Sequence, residues 1–287
     1  MDKGTDYRKR STFSDENNIL GYLRMELRKR IPSFQKNNRF ENSIRNSIMK
    51  QEKWEDNSSK LSLPPDFCNH EDRIMMEVMR IDHYGYEDEK GNKRNPNTEN
   101  INDLVQGLTD AGLEKILEQN IIIGALRDDI KSHEYGYTQY LENFKRIYGK
   151  HTGKIPSYRE RHPGYKLIFL VFDESTLYYE MGKDEPFEQR IMPIGKITIH
   201  DPLIDEAFNS VLRKSDVDMV IWFSPFKWID TNKGSIRLPP VRFYRMDYKL
   251  ETRTFDPEKM KCVESKDSTK KAHSNIFIDG HNYVFDL

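Results

Sequence analysis

The chain has 287 residues, 36% of them apolar, 32% charged and 11% aromatic, with a formal net charge of −1, enough for one large domain or two modest ones. Fifteen Tyr and fifteen Phe argue against a disordered chain, because they can fill a core where aliphatics are few. No apolar run approaches the roughly 20 residues that span a bilayer, and residues 1–10 are charged with no apolar segment behind them, so neither a membrane span nor a signal peptide is expected.

The two cysteines, Cys68 and Cys262, lack metal-ligand spacing and allow at most one disulfide, which fits a reducing cytoplasm. In chain order, residues 18–30 place apolar side chains at helical intervals, and Pro32 ends that run. Residues 38–54 predict a second helix with Phe40, Ile44, Ile48 and Met49 on one side. Pro64-Pro65-Asp66-Phe67 favours extended backbone. After a charged turn, residues 74–81 form a short apolar run with Glu77 inside it, read as a buried strand. Residues 84–100 read as a loop, 101–117 as a helix, and 120–148 as largely helical, with a break near Gly136 and a cap at Gly149. Residues 151–165 read as a basic loop with two prolines.

Residues 166–173 are the clearest buried strand, an unbroken apolar run suited to the centre of a sheet. A helix over 201–214 leads to a second such strand over 217–223, and that order predicts a parallel crossover. From Arg237 onward, strand-like pieces alternate with charged turns. The division expected is an N-terminal helical and basic extension over 1–37, an α/β core over 38–230 and a strand-rich extension over 231–287. The fold class is α/β, a mixed central sheet flanked by helices.

Charge is unevenly spread. Basic residues crowd residues 20–50, including Arg39 and Arg45, and again residues 145–166, including Lys145, Arg146, Lys150, Lys154, Arg159 and Arg161. Two such stretches in a nearly neutral protein can bind phosphates on one face, or be ordinary solvated surface.

The chemistry-bearing feature is a pair of carboxylates. Asp66 closes an extended segment, and eleven residues later Glu77 sits among Ile, Met and Val. A hairpin-like turn between them can bring the two side chains together. Burying Glu77 is costly unless it is paired or bound to a cation, and a divalent metal resolves the repulsion between neighbouring carboxylates. Mg²⁺ held by one or two carboxylates, waters and a phosphate oxygen is the outline of a phosphodiesterase site. The bland readings are that Asp66 caps a turn, that Glu77 pairs with Arg73 or Arg80, and that Glu41 is an ordinary exposed helix residue. Asp173-Glu174, at a strand end, is a second candidate, either joining the pair around a metal or capping a turn. His70 and His83 flank the Glu77 strand and are read chiefly as surface residues. No phosphate-loop or dinucleotide signature is present, and Ser224 lacks the glycines of a nucleophile elbow.

A helix containing Glu41, then Pro65-Asp66, a turn, Glu77 in a strand, a helix and a further strand resembles the PD-(D/E)XK nuclease superfamily over residues 38–173. The resemblance implies a restriction-endonuclease-like core and Mg²⁺- or Mn²⁺-dependent hydrolysis of DNA. Asp66 and Glu77 would be the metal ligands and Glu41 a contributor. The family has Lys two residues after the strand carboxylate; this chain has Met79. Arg80 follows on the opposite face by alternation and would need a bulge to replace it; Lys93, Arg94 or Lys166 are the other sources of charge. The alternative is a non-catalytic nucleic-acid- or protein-binding module on the same core, of a phage or mobile element.

Overall fold

The long apolar runs become the middle of a six-stranded mixed sheet. The computed structural model describes residues 16–29, 39–58, 65–82, 86–87, 93–94, 121–124, 136–181, 193–194, 197–231, 234–248, 251–264, 273–278 and 281–286. The chain begins with α1 (Glu16–Arg28), α2 (Arg39–Met49), β1 (Glu55–Asp56), β2 (Phe67–Asn69) and β3 (Ile74–Ile81). Next come β4 (Tyr86–Glu87), β5 (Lys93–Arg94), β6 (Ile121–Gly124), α3 (Tyr137–Thr152), α4 (Ile155–Arg161) and β7 (Lys166–Asp173). Then follow β8 (Leu177–Met181), β9 (Pro193–Ile194), β10 (Ile197–Ile199), α5 (Glu206–Leu212) and β11 (Met219–Phe223). The last strands are β12 (Trp228–Thr231), β13 (Gly234–Arg237), β14 (Val241–Arg245), β15 (Met260–Glu264), β16 (His273–Ile278) and β17 (His281–Asp286).

The main sheet has the order β1-β2-β3-β7-β11-β14. β3, β7 and β11 run parallel, with Glu77 opposite Phe169 and Phe169 opposite Val220. β2 and β14 flank them antiparallel. Alternation along the strands sorts the side chains between two faces. Met75, Met79, Leu167, Phe169, Val171, Val220 and Trp222 pack with α3, α4 and α5. Ile74, Met76, Val78, Ile168, Leu170, Phe172 and Ile221 pack with α1 and α2. Residues 167–172 are fully buried, which explains an apolar run without alternation: both faces are covered. Burying each of these side chains stabilises by about 1.5–3 kcal/mol.

Several local expectations are corrected. Residues 121–124 form a strand, not a helix, pairing antiparallel with β16. α3 passes through Gly149 to Thr152, and the terminal backbone bond is made by Gly153 to the Gly149 carbonyl. The expected basic loop contains α4, with its proline in the first turn, where a missing N–H costs nothing. Gly164 takes φ 74°, and a side chain there would strike Arg73, whose Nη2 lies 2.9 Å from where Cβ would be. The helix before β11 is only Glu206–Leu212, because Asp205 caps it, accepting from the Ala207 N–H at 2.8 Å. β4 and β5 pair within the expected loop; the helix expected over 101–117 lies outside the described residues. α1 shares a core with α2, and β14 is an edge strand of the main sheet. No described helix is long and apolar enough to cross a membrane.

Candidate carboxylate site

Register brings the two predicted carboxylates together. Phe67 lies opposite Met76 in the β2–β3 ladder, so one further step places Asp66 opposite Glu77. The Asp66 side chain extends the ladder past the end of β2: its Oδ2 accepts from the Val78 N–H at 2.7 Å. Glu77 projects to the α3–α4 side and is 1% exposed. Its Oε1 accepts from Lys154 Nζ at 2.7 Å and lies 2.7 Å from His151 Nδ1, and its Oε2 accepts from the Tyr158 hydroxyl at 2.8 Å.

This surrounding sets the electrostatics. Burial and the negative charge of Glu77 push the Asp66 carboxyl up to about 7, against the pull of the Val78 N–H. Burial also pushes Glu77 upward, but hydrogen bonds and charge from His151 and Lys154 outweigh it and hold Glu77 below the usual carboxylate range. At neutral pH Glu77 is therefore charged, while Asp66 is poised near half protonation. The Tyr158 phenol is raised by burial and by Glu77, so it stays a donor.

The sequence pointed to Lys154 as a nucleic-acid contact, and it did not single out His151 and Tyr158. Their spacing, i, i+3 and i+7, is that of one helical face, a signal hidden because the segment reads as loop. The cation on Glu77 comes from this α3–α4 corner, not from Arg80. Arg80 points to the other face, as alternation requires, with Nη2 2.7 Å from Glu174 Oε1. Glu41 is buried on α2, whose apolar side packs on the opposite face of the sheet, and its charge acts on Arg245. Neither Glu41 nor Arg80 joins the Asp66–Glu77 pair. Lys166 reaches Asp218 at 3.2 Å instead; the side chains of Lys93 and Arg94 lie outside the described residues.

The basic residues do not form one surface. Arg39 and Arg45 belong to α2, on one face of the sheet, while Lys145, Arg146, Lys150, Lys154, Arg159 and Arg161 belong to α3 and α4 on the other. Arg39 lines a polar surface groove with Lys50, and Arg45 donates to the Leu27 carbonyl. Lys145 pairs with Glu142 at 2.8 Å, and Arg146 bonds Asn143 one turn back. Arg159 is held by Asp216, Asp218 and the Tyr165 carbonyl. Lys150 and Arg161 are exposed.

Asp173 forms a second buried cluster. Its Oδ2 accepts from Lys227 Nζ at 2.7 Å, from the Tyr140 hydroxyl at 2.8 Å and from Trp222 Nε1 at 3.4 Å. Its Oδ1 accepts from the Ser175 N–H at 3.1 Å, the turn cap anticipated as its alternative role. Nearby, Asp205 Oδ2 lies 2.6 Å from His200 Nε2 and accepts from the Tyr137 hydroxyl at 2.6 Å. His70 is exposed, with Glu55 at 2.9 Å and the Tyr165 hydroxyl at 3.0 Å; His83 lies outside the described residues. Among the described residues no group of three or more His, Cys, Asp or Glu side chains is arranged to hold a metal ion. Compared with known proteins, the chain matches no family model, no curated protein and no solved structure.

Proposed function

We propose that the Asp66–Glu77 pair is a divalent-cation site and that the chain is a Mg²⁺- or Mn²⁺-dependent nuclease acting on DNA. One observation carries the reading: Asp66, one step before β2 and bonded to the Val78 N–H, faces Glu77 on β3, with the Lys154 ammonium on Glu77. The succession α2, β1, β2, β3, then α3 after the interposed β4, β5 and β6, then β7 after α4, contains the helix-and-strand order of the resembled superfamily and supports it further.

The donor set fits a hard cation. A carboxylate offers roughly four lone-pair positions; Glu77 uses three, and Asp66 has an oxygen besides the one taken by Val78. Two carboxylates completed by water and phosphate oxygens suit Mg²⁺, which seldom takes an all-protein cage. When bound, the metal would lower the pKa of a water and stabilise charge on the leaving oxygen. Lys154 would stand in for the Lys missing at Met79, steadying negative charge beside the pair. Tyr158 and His151 would orient Glu77, and exposed Lys150 and Arg161 would meet phosphates on that side.

A second reading has its own observation: Glu77 already receives three polar partners and is almost fully buried. It would then be a structural anchor tying the α3–α4 corner to β3, in a protein without cleavage activity. Plasmid and single-stranded DNA incubated with Mg²⁺, Mn²⁺ or EDTA separate the two. The nuclease reading expects metal-dependent cleavage that Glu77→Gln and Lys154→Ala abolish in folded proteins. Absence of cleavage under every condition, with no change of Tm on adding metal, leaves the anchor.

A further inference from the structure

A cleft opens where β7 and β11 end, away from the Asp66–Glu77 pair. β7 closes on Asp173, and β11 is followed directly by Ser224. In open α/β sheets, ligand sites gather at this carboxyl end of parallel strands. The cleft wall includes Tyr140, His200, Ser224, Lys227, Leu238 and Arg242. Arg242 enters from β14, opposite Trp222, and so shares the α3 side of the sheet with Tyr140.

The polarity of this wall is one-sided. Three acids accompany its three bases: Asp173 holds Lys227, Asp205 holds His200 and Asp201 holds Arg242. None of the three acids belongs to the cleft lining. Each base is thus anchored by an acid outside the lining, and among the described residues the lining presents cations, hydroxyls and apolar carbon without a carboxylate. Lys227 and Arg242 are each only 8% exposed. A lysine ammonium carries three donors and a guanidinium five, and their acids do not occupy them all.

One donor is conspicuous. Arg242 Nε is buried and has no hydrogen-bond partner among the described residues. A guanidinium N–H in that state costs free energy, and such groups in native proteins ordinarily have an ion or a water to meet them. The cavity volume of about 30 Å³ exceeds the roughly 10–15 Å³ that one water needs and confines an occupant to a few heavy atoms.

We propose that this cleft binds a small oxyanion, a phosphate or carboxylate group, through Arg242, Lys227 and Ser224, with buried His200 in its wall. Anchoring by the outer acids keeps the bases in place when the site is empty, so binding needs little reorganisation. Leu238 and the Tyr140 ring supply the apolar surface that strengthens charge-assisted hydrogen bonds by keeping water away.

The test uses the full chain in a buffer free of phosphate and carboxylate. Inorganic phosphate and acetate are titrated separately by calorimetry and by Tm, with chloride at equal ionic strength as control. Phosphate or acetate should bind with one-to-one stoichiometry and raise Tm, and chloride should not; the tighter of the two identifies the head group. Arg242→Lys keeps a cation for Asp201 but deletes the Nε donor, and should weaken binding by about tenfold, the effect of losing one charge-assisted hydrogen bond. Ser224→Ala, which leaves every ion pair intact, should weaken it by a smaller factor; it carries the test if Arg242→Lys fails to fold, as judged by circular dichroism without anion. The proposal is overturned if neither anion binds at tens of millimolar, the result expected of a cleft filled by water alone, or if the folded variants bind as tightly as the parent.

Discussion

Two buried carboxylates lie on the α3 side of the sheet, and they are held differently. Glu77 meets the Lys154 ammonium and the His151 ring, both of which reach solvent: Lys154 is 30% exposed and His151 16%. Its neighbour on the next strand is another carboxylate, Asp66. Asp173 meets two aromatic donors and one cation, Lys227, whose side chain is 10% exposed, and no second acid bonds it among the described residues. The first arrangement concentrates negative charge and offsets it with groups that can swing into water. The second balances one charge with one and seals the acid, while the base still borders the cleft. A cation from solution has something to gain at Glu77 and nothing to gain at Asp173. Where the acid is sealed, its bases are the groups left for a ligand.

The largest expected effect falls on the sealed cluster. Asp173→Ala leaves the Lys227 ammonium buried beside Tyr140 and Trp222 without its acid. Breaking a buried pair in this way costs about 3–5 kcal/mol, which is a fall of roughly 6–20 °C in Tm for a chain of this size. A loss under about 1 kcal/mol would mean that Lys227 finds water, and the contrast between the clusters would collapse.

Glu77→Gln comes next. Lys154 and His151 can turn to solvent, Tyr158 keeps an acceptor, and repulsion with Asp66 disappears. The expected cost without metal is about 1–3 kcal/mol, smaller than at Asp173, together with loss of any stabilisation by Mg²⁺. Chemical denaturation of both variants in EDTA gives the ranking. If Glu77→Gln proves as costly as Asp173→Ala, Glu77 is a sealed anchor too, and the metal site loses its premise.

These two clusters also show what sequence could and could not reveal. β3, β7 and β11 were legible because a strand covered on both faces has to be apolar throughout, and Glu77 stood out against that background. The meeting of Asp66 with Glu77 was legible from a turn-length spacing. The partners of Glu77 were not: Lys154 and Tyr158 lie 77 and 81 positions away, and their helical spacing straddles a corner between two helices whose prolines and glycines read as loop. Lys227 and Arg242 were invisible for a similar reason. They approach Asp173 and Asp201 only after β11 and β14 have taken their places in the sheet, and local pattern carries no information about that. The choice of Arg80 failed on alternation alone; the strand runs straight through, without the bulge that would have turned it toward Glu77.

A smaller effect, of opposite sign, is expected at Asp66. Its carboxyl is raised to about 7 in the folded protein, well above the roughly 3.9 of an unfolded chain. Between those values the folded state binds more protons than the unfolded one, so this group's contribution to stability declines as pH rises from about 4 to 7. Glu77, held low, works the other way: its contribution is present at neutral pH and is lost as pH falls below the usual carboxylate range. Asp66→Asn keeps an acceptor for the Val78 N–H and removes the charge. It should raise stability at pH 8 by on the order of 1 kcal/mol, about 2–4 °C, and the gain should fade toward pH 4. A gain that is independent of pH would show that Asp66 is not the group titrating, and that Glu77 does not press upon it.

The smallest effects on stability are expected at the exposed basic residues, and there the informative quantity is DNA affinity. Lys150 and Arg161 lie on the α3–α4 side with Glu77, while Arg39 lies on α2 against the other face of the sheet. Replacing any of the three with Ala should change stability by no more than about 0.5 kcal/mol, as for most surface sites. If a phosphate backbone approaches Asp66 and Glu77, it must come from the α3–α4 side. Lys150→Ala and Arg161→Ala should then each weaken binding to duplex DNA and make its salt dependence shallower, by about 0.9 in the slope of log K against log salt for each phosphate left without its cation. Arg39→Ala should leave both quantities unchanged. Binding isotherms at several salt concentrations, with Ca²⁺ in place of Mg²⁺ to hold off cleavage, measure this directly. Equal losses from both faces would mean that DNA is gripped without reference to the carboxylate pair, and a loss from Arg39 alone would move the nucleic-acid surface to the groove beside α2.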